Sequence, residues 1–343
     1  MKKVLSVLTL IFIISYIYAN DTYFFLSGGE LVPTQEKDVE IEMKEENINI
    51  ILDKTYYEVT VDFFFYNYGD TVELEVGFPF FCVGFNGNGK ISDFRCWTND
   101  VETSYADYPI EKKWSDEPDT QLEKAYVRTV KFPSKEITKT KIAYKSTYGR
   151  EAPSYSIANY LYGTGSSWKN AIGKMTFRIQ NKCLYVFPNE VSIPDDSKIV
   201  RINENTWEGS CKNIEPSNYE NTIVITMGDI FCDDGPRLLD KQRFFCYRKQ
   251  ISAEELFWYT KPQLRLVRNA IYAFSGYPFK SPDLIDLFEK KSADRGWYGW
   301  DDNKNAYADY PLDKNFSEDK LSDIEKYNIK MIKEEENKFK VNQ

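Results

Sequence analysis

The chain contains no histidine among its 343 residues, and this absence restricts its chemistry more than any motif that is present. Serine and cysteine hydrolases of the triad type move a proton through an imidazole, and catalytic zinc sites mostly use histidine ligands. The cysteines also lack the CxxC spacing of zinc and redox sites. Carboxylate chemistry, a lysine-assisted nucleophile or a non-catalytic role remains, and we expect no catalytic residue, no metal and no cofactor.

The chain also lacks the GxxxxGK loop, followed by Ser or Thr, that cradles nucleotide phosphates. A different glycine segment, GTGSSW from Gly163 to Trp168, permits close approach of a backbone and could hold a ligand. The alternative is a tight connection in which Trp168 covers the edge of the core. The formal net charge of −9 repels polyanions. We therefore expect neither nucleic acid nor a nucleotide as a partner.

Long apolar runs are scarce, and the main one is at the N-terminus. Lys2 and Lys3 precede the run Val4–Tyr18, which ends at Ala19. This pattern is typical of a secretory signal peptide, and the run is shorter than the roughly 20 residues of a membrane span. We predict a signal peptide over residues 1–19 and an exported protein, periplasmic or extracellular, with envelope association as an option. An uncleaved anchor is the alternative.

All six cysteines follow this segment, and export would permit disulfides. The two shortest pairs, Cys82 to Cys96 and Cys232 to Cys246, have the same spacing, and closing each loop would contribute about 3 kcal/mol. We favour these two bridges, with Cys183 to Cys211 by elimination, although other pairings are open. Buried free thiols are the alternative.

Apolar residues alternate from Asn20 to about Phe187, as in Tyr57, Val59, Val61, Phe63 and Phe65. Such alternation places one face of each strand in a core. A Tyr68-Gly69-Asp70 break between two alternating runs indicates a hairpin. The pattern predicts an antiparallel β-sandwich, and a weaker stretch up to residue 250 completes a domain over residues 20–250.

This region resembles a family of exported bacterial β-rich domains of unknown function. The resemblance covers about residues 20–190 and rests on Gly28-Gly29 and on the segments VEIEMKEENINIIL, YEVTVDFFFYN, VGFPF and YLYGTGSSWKNAIGK.

The period then becomes helical. Thr260 and Gln263 form a capping box, an apolar stripe follows, and Gly276 ends the helix. A second helix begins with Ser281 and Pro282, and a third near Ser317. We expect a small three-helix module over residues 251–340.

The segments LRLVRNAIYAFSGYPFK, SPDLIDLFEKK, GWYGW and LSDIEKYNIKMIKEEE resemble the YARHG domain of bacterial exported proteins, over about residues 252–338. The resemblance assigns no molecular role. The Arg-His pair of the family motif is replaced by Phe274-Ser275, which places in doubt any activity that uses that pair. The matching positions are Arg268, Asn269, Tyr272, Gly276, Tyr277, Trp297 and Tyr298. Except for Gly276, we treat these residues, with Trp168, as candidate ligand-binding residues; a purely structural role is the alternative.

A short sequence occurs twice, as YADYPIEKKWSDE at Tyr105–Glu117 and as YADYPLDKNFSED at Tyr307–Asp319. We expect both copies to be surface loops that present one face to a partner, and coincidence is the alternative. The acidic run Asp301–Asn305 lacks the glycine and glutamate of an EF-hand loop, and we interpret it as a polar loop.

The aromatic content of 16% suits recognition of a protein or a glycan. The sequence therefore favours a non-enzymatic envelope or secreted module that binds one of these. The alternatives are a structural subunit that self-associates or assembles in the envelope, and a hydrolase of wall polymers that uses two carboxylates.

Overall fold

The structure is a computed structural model that describes residues 32–33, 39–82, 91–109, 121–151, 155–162, 168–215, 222–230, 246, 249–288 and 312–339. The predicted signal peptide, Gly163–Ser167, the run Asp301–Asn305, and the candidates Trp297 and Tyr298 lie outside these residues.

The described part of the chain contains sixteen strands. They are β1 (Val32–Pro33), β2 (Ile41–Leu52), β3 (Tyr56–Asn67), β4 (Val72–Cys82), β5 (Ile91–Thr98), β6 (Val101–Thr103), β7 (Ala106–Pro109), β8 (Gln121–Phe132), β9 (Ile137–Thr147), β10 (Gly149–Glu151), β11 (Tyr155–Leu161), β12 (Ile172–Asn181), β13 (Val186–Ser192), β14 (Lys198–Asn203), β15 (Thr206–Ile214) and β16 (Thr222–Asp229).

The strands form three sheets. The largest has the order β14-β15-β12-β2-β3-β9-β5-β6, and the two four-stranded sheets have the orders β1-β4-β8-β7 and β10-β11-β16-β13. The pair β2 and β12 is parallel, with Glu45 opposite Lys174, whereas we expected antiparallel pairs throughout. Strand β12 comes long after β2 in the chain and joins its free edge, so no hairpin sets its direction.

The predicted alternation is confirmed in β3, where Tyr57, Val59, Val61, Phe63 and Phe65 are all buried. The polar or partly exposed residues between them face the other side of the sheet. A period of two therefore gave the correct core face of this strand.

The predicted hairpin at Tyr68-Gly69-Asp70 is wrong, because β3 and β4 belong to different sheets. The Asn67 side chain donates to the Asp70 and Phe132 carbonyls at 2.7 and 2.9 Å and accepts from the Gly69 N–H at 2.8 Å. These bonds hold the connection in a bend that carries the chain from one sheet to the other.

One apolar core joins the three sheets. It includes Phe63 of β3, Phe78 of β4, Tyr160 of β11, and Met227 of β16. Trp168 is also buried there, with its ring 4.5 Å from that of Phe65. Trp168 therefore covers the core, as the structural alternative expected.

The described residues that follow contain three α-helices: α1 (Lys261–Phe274), α2 (Pro282–Phe288) and α3 (Asp323–Lys338). The Thr260–Gln263 capping box of α1 is confirmed, and Gly276 adopts a φ of 82° just after the helix, which a Cβ would disfavour. The third helix begins later than predicted. Ser317 caps only a 3-10 turn over Glu318–Lys320, and α3 begins after Ser322, which forms its own capping box with Glu325.

The helices pack onto the strands as well as onto one another. Gln263 is fully buried and its Nε2 donates to the carbonyls of Cys183 and Val186, at 2.9 and 2.8 Å. The Trp207 indole donates to the Phe257 carbonyl at 2.9 Å, and Phe187 of β13 belongs to the helical core. The helical region therefore completes its core with residues of the strands.

Two of the three expected disulfides are wrong. Cys211 lies opposite Met175 of β12, whereas Cys183 lies beyond Asn181 at the end of that strand. A rise of about 3.3 Å per residue separates the two cysteines by roughly 20 Å, but bridged Cα atoms lie within about 7 Å. Cys96 is a buried free thiol that donates to the Thr103 carbonyl at 3.3 Å, so Cys82 to Cys96 is not formed. Cys232 lies outside the described residues, and its pairing stays a prediction.

Candidate functional site

A surface cleft of about 300 Å³ lies between the end of α1, the 3-10 turn and one face of α3. Its apolar part is formed by Leu321 and Ile329, both buried. Tyr272 of α1 and Glu318 of the 3-10 turn line one side. The volume is near the lower end of the range for small-molecule pockets, so the cleft could hold one sugar unit or one or two amino-acid side chains.

The opposite side of the cleft is a row of charged residues on α3. Lys326, Lys330 and Lys333 follow at intervals of four and three residues, which places them on one face of a helix. All three are exposed, and Glu334 is beside them. The Ser322–Glu325 capping box stabilises the start of α3, so the three lysines project from a regular helical backbone.

The phenol of Tyr272 is the most constrained polar group of the cleft. Its Oη donates to Glu318 Oε1 at 2.8 Å, and its ring packs against Tyr277 and Phe316, with centroids at 5.6 and 6.2 Å. Burial, and then the hydrogen bond to Glu318, raise the pKa of Tyr272 to about 12. The phenol therefore stays protonated and neutral at physiological pH.

The residues that line the cleft carry a net positive charge, although the chain as a whole is acidic. Its lining contains three lysines and two glutamates, while the whole chain carries a formal charge of −9. Lys330 pairs with Glu334 at 4.0 Å. Lys326 and Lys333 form no ion pair within the described part of the chain. Two ammonium groups are thus available to an acidic group that enters the cleft.

The other candidate ligand-binding residues that the structure describes lie elsewhere. Arg268 forms a two-point ion pair with Glu336, at 2.8 and 3.3 Å. Asn269 donates to the Arg265 carbonyl of its own helix at 2.7 Å, and Tyr277 packs edge-on against Phe279 and Phe316. Arg268, Asn269 and Tyr277 thus connect parts of the fold, whereas Tyr272 lines the cleft.

The residues that replace the Arg-His pair of the family motif are structural here. Phe274 is buried in the helical core. The Ser275 hydroxyl donates to Glu325 Oε1 at 3.3 Å, which connects the end of α1 to the start of α3. Phe274-Ser275 thus stabilises the frame of the cleft.

The repeated sequence does not form two equivalent loops. In the first copy, Ala106–Pro109 is the edge strand β7, which pairs with β8. In the second copy, Phe316 packs against Tyr272 and Tyr277, and the Asp313 N–H donates to the Gly276 carbonyl at 2.8 Å. The expectation of two surface loops is therefore wrong for the first copy; most of the rest of the repeat, including Ile110–Glu117 and Tyr307–Pro311, lies outside the described residues.

Within the residues that are described, no group of three or more Asp, Glu, Cys or His side chains is placed to hold a metal ion. No helix of that part is long and apolar enough to cross a membrane.

Fold and cleft together define a β-rich protein with a helical C-terminal region that carries a charged cleft. This region is a YARHG domain, since residues 246–337 match that family. The match begins six residues before the range that the sequence motifs indicated, and it includes every residue that lines the cleft.

Solved structures with a similar arrangement are distant from this chain. A provisionally named nutrient binding protein from Legionella pneumophila is 19% identical with a TM-score of 0.48, over 90% of this chain and 97% of that one. An M1 zinc metallopeptidase from Deinococcus radiodurans is 8% identical with a TM-score of 0.33, over 57% of this chain and 43% of that one. Leukotriene A4 hydrolase from Saccharomyces cerevisiae is 9% identical with a TM-score of 0.28, over 55% and 29%. No curated protein matches the chain significantly.

Proposed function

We propose that the protein is an exported, non-enzymatic binding module of the cell envelope, and that the YARHG cleft binds an acidic group of a protein or glycan partner. The observation that carries this proposal is the pair of lysines, Lys326 and Lys333, that line the cleft and have no ion-pair partner among the residues that the structure describes. A carboxylate of the partner would supply the missing negative charge.

The shape of the cleft agrees with recognition of one acidic group. Tyr272 and the apolar residues Leu321 and Ile329 offer contact area to a ring or an aliphatic chain. The lysines stand at the rim, where an ammonium group can follow a carboxylate of varied position. An acidic sugar unit or an acidic side chain fits this combination.

The division of the chain supports a two-part binding protein. We infer a strand domain over residues 20–250, in which the three sheets stack as a sandwich, and a helical domain over residues 251–340. Separate core clusters support this division, although Trp258 contacts both.

The experiment compares the protein from residue 20 onward with Lys326→Glu/Lys333→Glu and with the control Lys198→Glu/Lys212→Glu. The control changes the charge equally at exposed lysines of β14 and β15. Binding to immobilised polygalacturonate, to poly-L-glutamate and to envelope extract is measured, with dextran as a neutral reference. We expect the cleft variant to lose at least about tenfold in affinity, which corresponds to about 1.4 kcal/mol, and the control to keep it. Equal affinity in both variants, or no binding to any of the three, contradicts the proposal.

A second candidate, assembly through a sheet edge, is favoured by β14. This edge strand of the large sheet exposes Val200 and Ile202, at 57% and 36%, and an open apolar edge can pair with another chain. This candidate would be favoured if the wild type had a solution mass above that of the monomer and Val200→Lys had the mass of the monomer.

The carboxylate hydrolase is a third candidate because Glu318 and Glu334 line the same cleft. Release of soluble fragments from wall polymers, lost in Glu318→Gln, would favour it over binding alone.

A further inference from the structure

The second copy of the repeat contains a sequence pattern that the proposed function does not use. Asn315-Phe316-Ser317 is an Asn-X-Ser sequence, which is the acceptor pattern for N-linked glycans. The chain contains one other sequence of this type, Asn20-Asp21-Thr22, at the predicted cleavage point and outside the described residues. The first copy of the repeat has Lys113 where the second has Asn315, so only the second copy carries the pattern.

Asn315 lies in a tight turn that is fixed to the YARHG domain. The Phe316 N–H donates to the Asp313 carbonyl at 3.1 Å, which closes the turn. The Asp313 N–H donates to the Gly276 carbonyl, just after α1, at 2.8 Å. The Phe316 ring packs edge-on against Tyr277, with centroids 5.2 Å apart. The backbone on both sides of Asn315 is therefore held in place.

The side chain of Asn315 is exposed, and neither of the usual reasons for an asparagine in a turn applies to it. Turn asparagines commonly accept a hydrogen bond from the backbone two residues on, or they tolerate a positive φ. Here Asp313 provides the first, because its carboxylate accepts the Asn315 N–H at 2.9 Å. The backbone of Asn315 does not adopt a positive φ. The Asn315 side-chain amide forms no hydrogen bond within the described part of the chain, so its nitrogen is accessible from solvent.

The hydroxyl that completes the pattern is on the surface too. Ser317 is exposed and has an extended backbone, with φ −134° and ψ 144°. Its Oγ donates to Asp319 Oδ2 at 3.2 Å and accepts the Asp319 N–H at 3.3 Å. Both partners belong to one residue of the same short segment. The amide of Asn315 and the hydroxyl of Ser317, which define the acceptor pattern, are thus both open to an enzyme.

We propose that Asn315 carries an N-linked glycan in the exported protein. The co-reactant is an oligosaccharide joined through pyrophosphate to a lipid, and the catalyst is an oligosaccharyltransferase. Asn315 Nδ2 forms a bond to the anomeric carbon of the first sugar, while the bond from that carbon to the pyrophosphate oxygen breaks. The lipid pyrophosphate leaves with the electron pair of that bond, and the amide gives one proton to a base of the transferase.

The proposal rests on the export that the proposed function includes, but not on binding in the cleft. Phe316 follows Asn315 and packs against Tyr272 of the cleft, with ring centroids 6.2 Å apart. A glycan is bulky and hydrophilic. It would therefore stand beside the cleft and cover the surface of this turn.

The test uses the full chain, produced in the bacterium that encodes it and purified from the envelope and the medium. The intact mass is measured for wild type, Asn315→Gln, Ser317→Ala and the conservative control Ser317→Thr, which keeps the hydroxyl. We expect wild type and Ser317→Thr to exceed the mass of the unmodified mature chain by whole sugar residues, on the peptide that contains Asn315. Asn315→Gln and Ser317→Ala should have the unmodified mass. Both positions are exposed, so both variants should fold.

Unmodified wild type in the envelope or the medium overturns the glycan and leaves the binding function untouched. A glycan that persists in Asn315→Gln or in Ser317→Ala also overturns the assignment, because it would then be attached at another position such as Asn20. Recovery of the protein from the cytosol alone overturns both this proposal and the export on which it rests.

Discussion

Gln263 offers the sharpest test of how the helical domain is attached, because one buried amide satisfies groups of both regions. Its Oε1 accepts the Thr260 N–H at 2.9 Å, and its Nε2 donates to the carbonyls of Cys183 and Val186. Val186 would keep a second donor, the Asn181 side chain at 3.0 Å. Replacement by leucine would therefore orphan two buried groups, the Thr260 N–H and the Cys183 carbonyl.

The expected loss follows from the cost of each orphaned group, about 1–3 kcal/mol. Two such groups cost about 4 kcal/mol, and the gain from burying leucine offsets about 1 kcal/mol of this. We expect Gln263→Leu to lower the free energy of unfolding by about 3 kcal/mol, measured by urea denaturation with tryptophan fluorescence. Gln250→Leu, at an exposed glutamine, should change it by less than about 0.5 kcal/mol. A loss below about 1 kcal/mol in Gln263→Leu would refute the assignment of these bonds.

Two further predictions concern titration and thiols. Because the pKa of Tyr272 is raised from 10.0 to about 12, its contribution to stability is complete below pH 10 and is lost as pH rises towards 12. The difference in unfolding free energy between wild type and Tyr272→Phe should therefore shrink between pH 10 and 12. A constant difference would contradict the raised pKa. Burial raises the pKa of Cys183 to about 12 and that of Cys211 above its usual value, so Cys183 and Cys211 should resist iodoacetamide in the native protein, as should Cys96 because its side chain is buried. All three should react fully in urea without reductant, and protection of Cys183 and Cys211 in urea would restore the expected disulfide.

Local patterns in the sequence predicted those features that neighbouring residues determine. The alternation in β3 and the capping box at Thr260 and Gln263 were correct because strand faces and helix starts depend on residues a few positions apart. The segment Tyr68-Gly69-Asp70 was correctly predicted to end one strand, but the predicted hairpin was wrong, because the bend is held by a bond from Asn67 to the carbonyl of Phe132, far along the chain.

The sequence predicted only some of the residues that line the cleft. Tyr272 was selected through the family motif, and the spacing of Lys326, Lys330 and Lys333 could have indicated a charged face of α3. Glu318 carried no such signal, because its hydrogen bond to Tyr272 spans 46 residues.

The attachment of α3 to the strands shows why the cleft cannot be treated as the property of a free helical domain. The side chain of Arg201 of β14 is only 13% exposed. Its Nη2 donates to the carbonyls of Leu256 and Tyr259 at 2.9 and 3.3 Å and to that of Phe257. Its Nη1 lies 3.7 Å from Glu335 of α3, the residue that follows Glu334 of the cleft. The helix that carries the lysine row therefore contacts a strand residue. We expect removal of either region to alter the cleft, so binding studies need the complete chain.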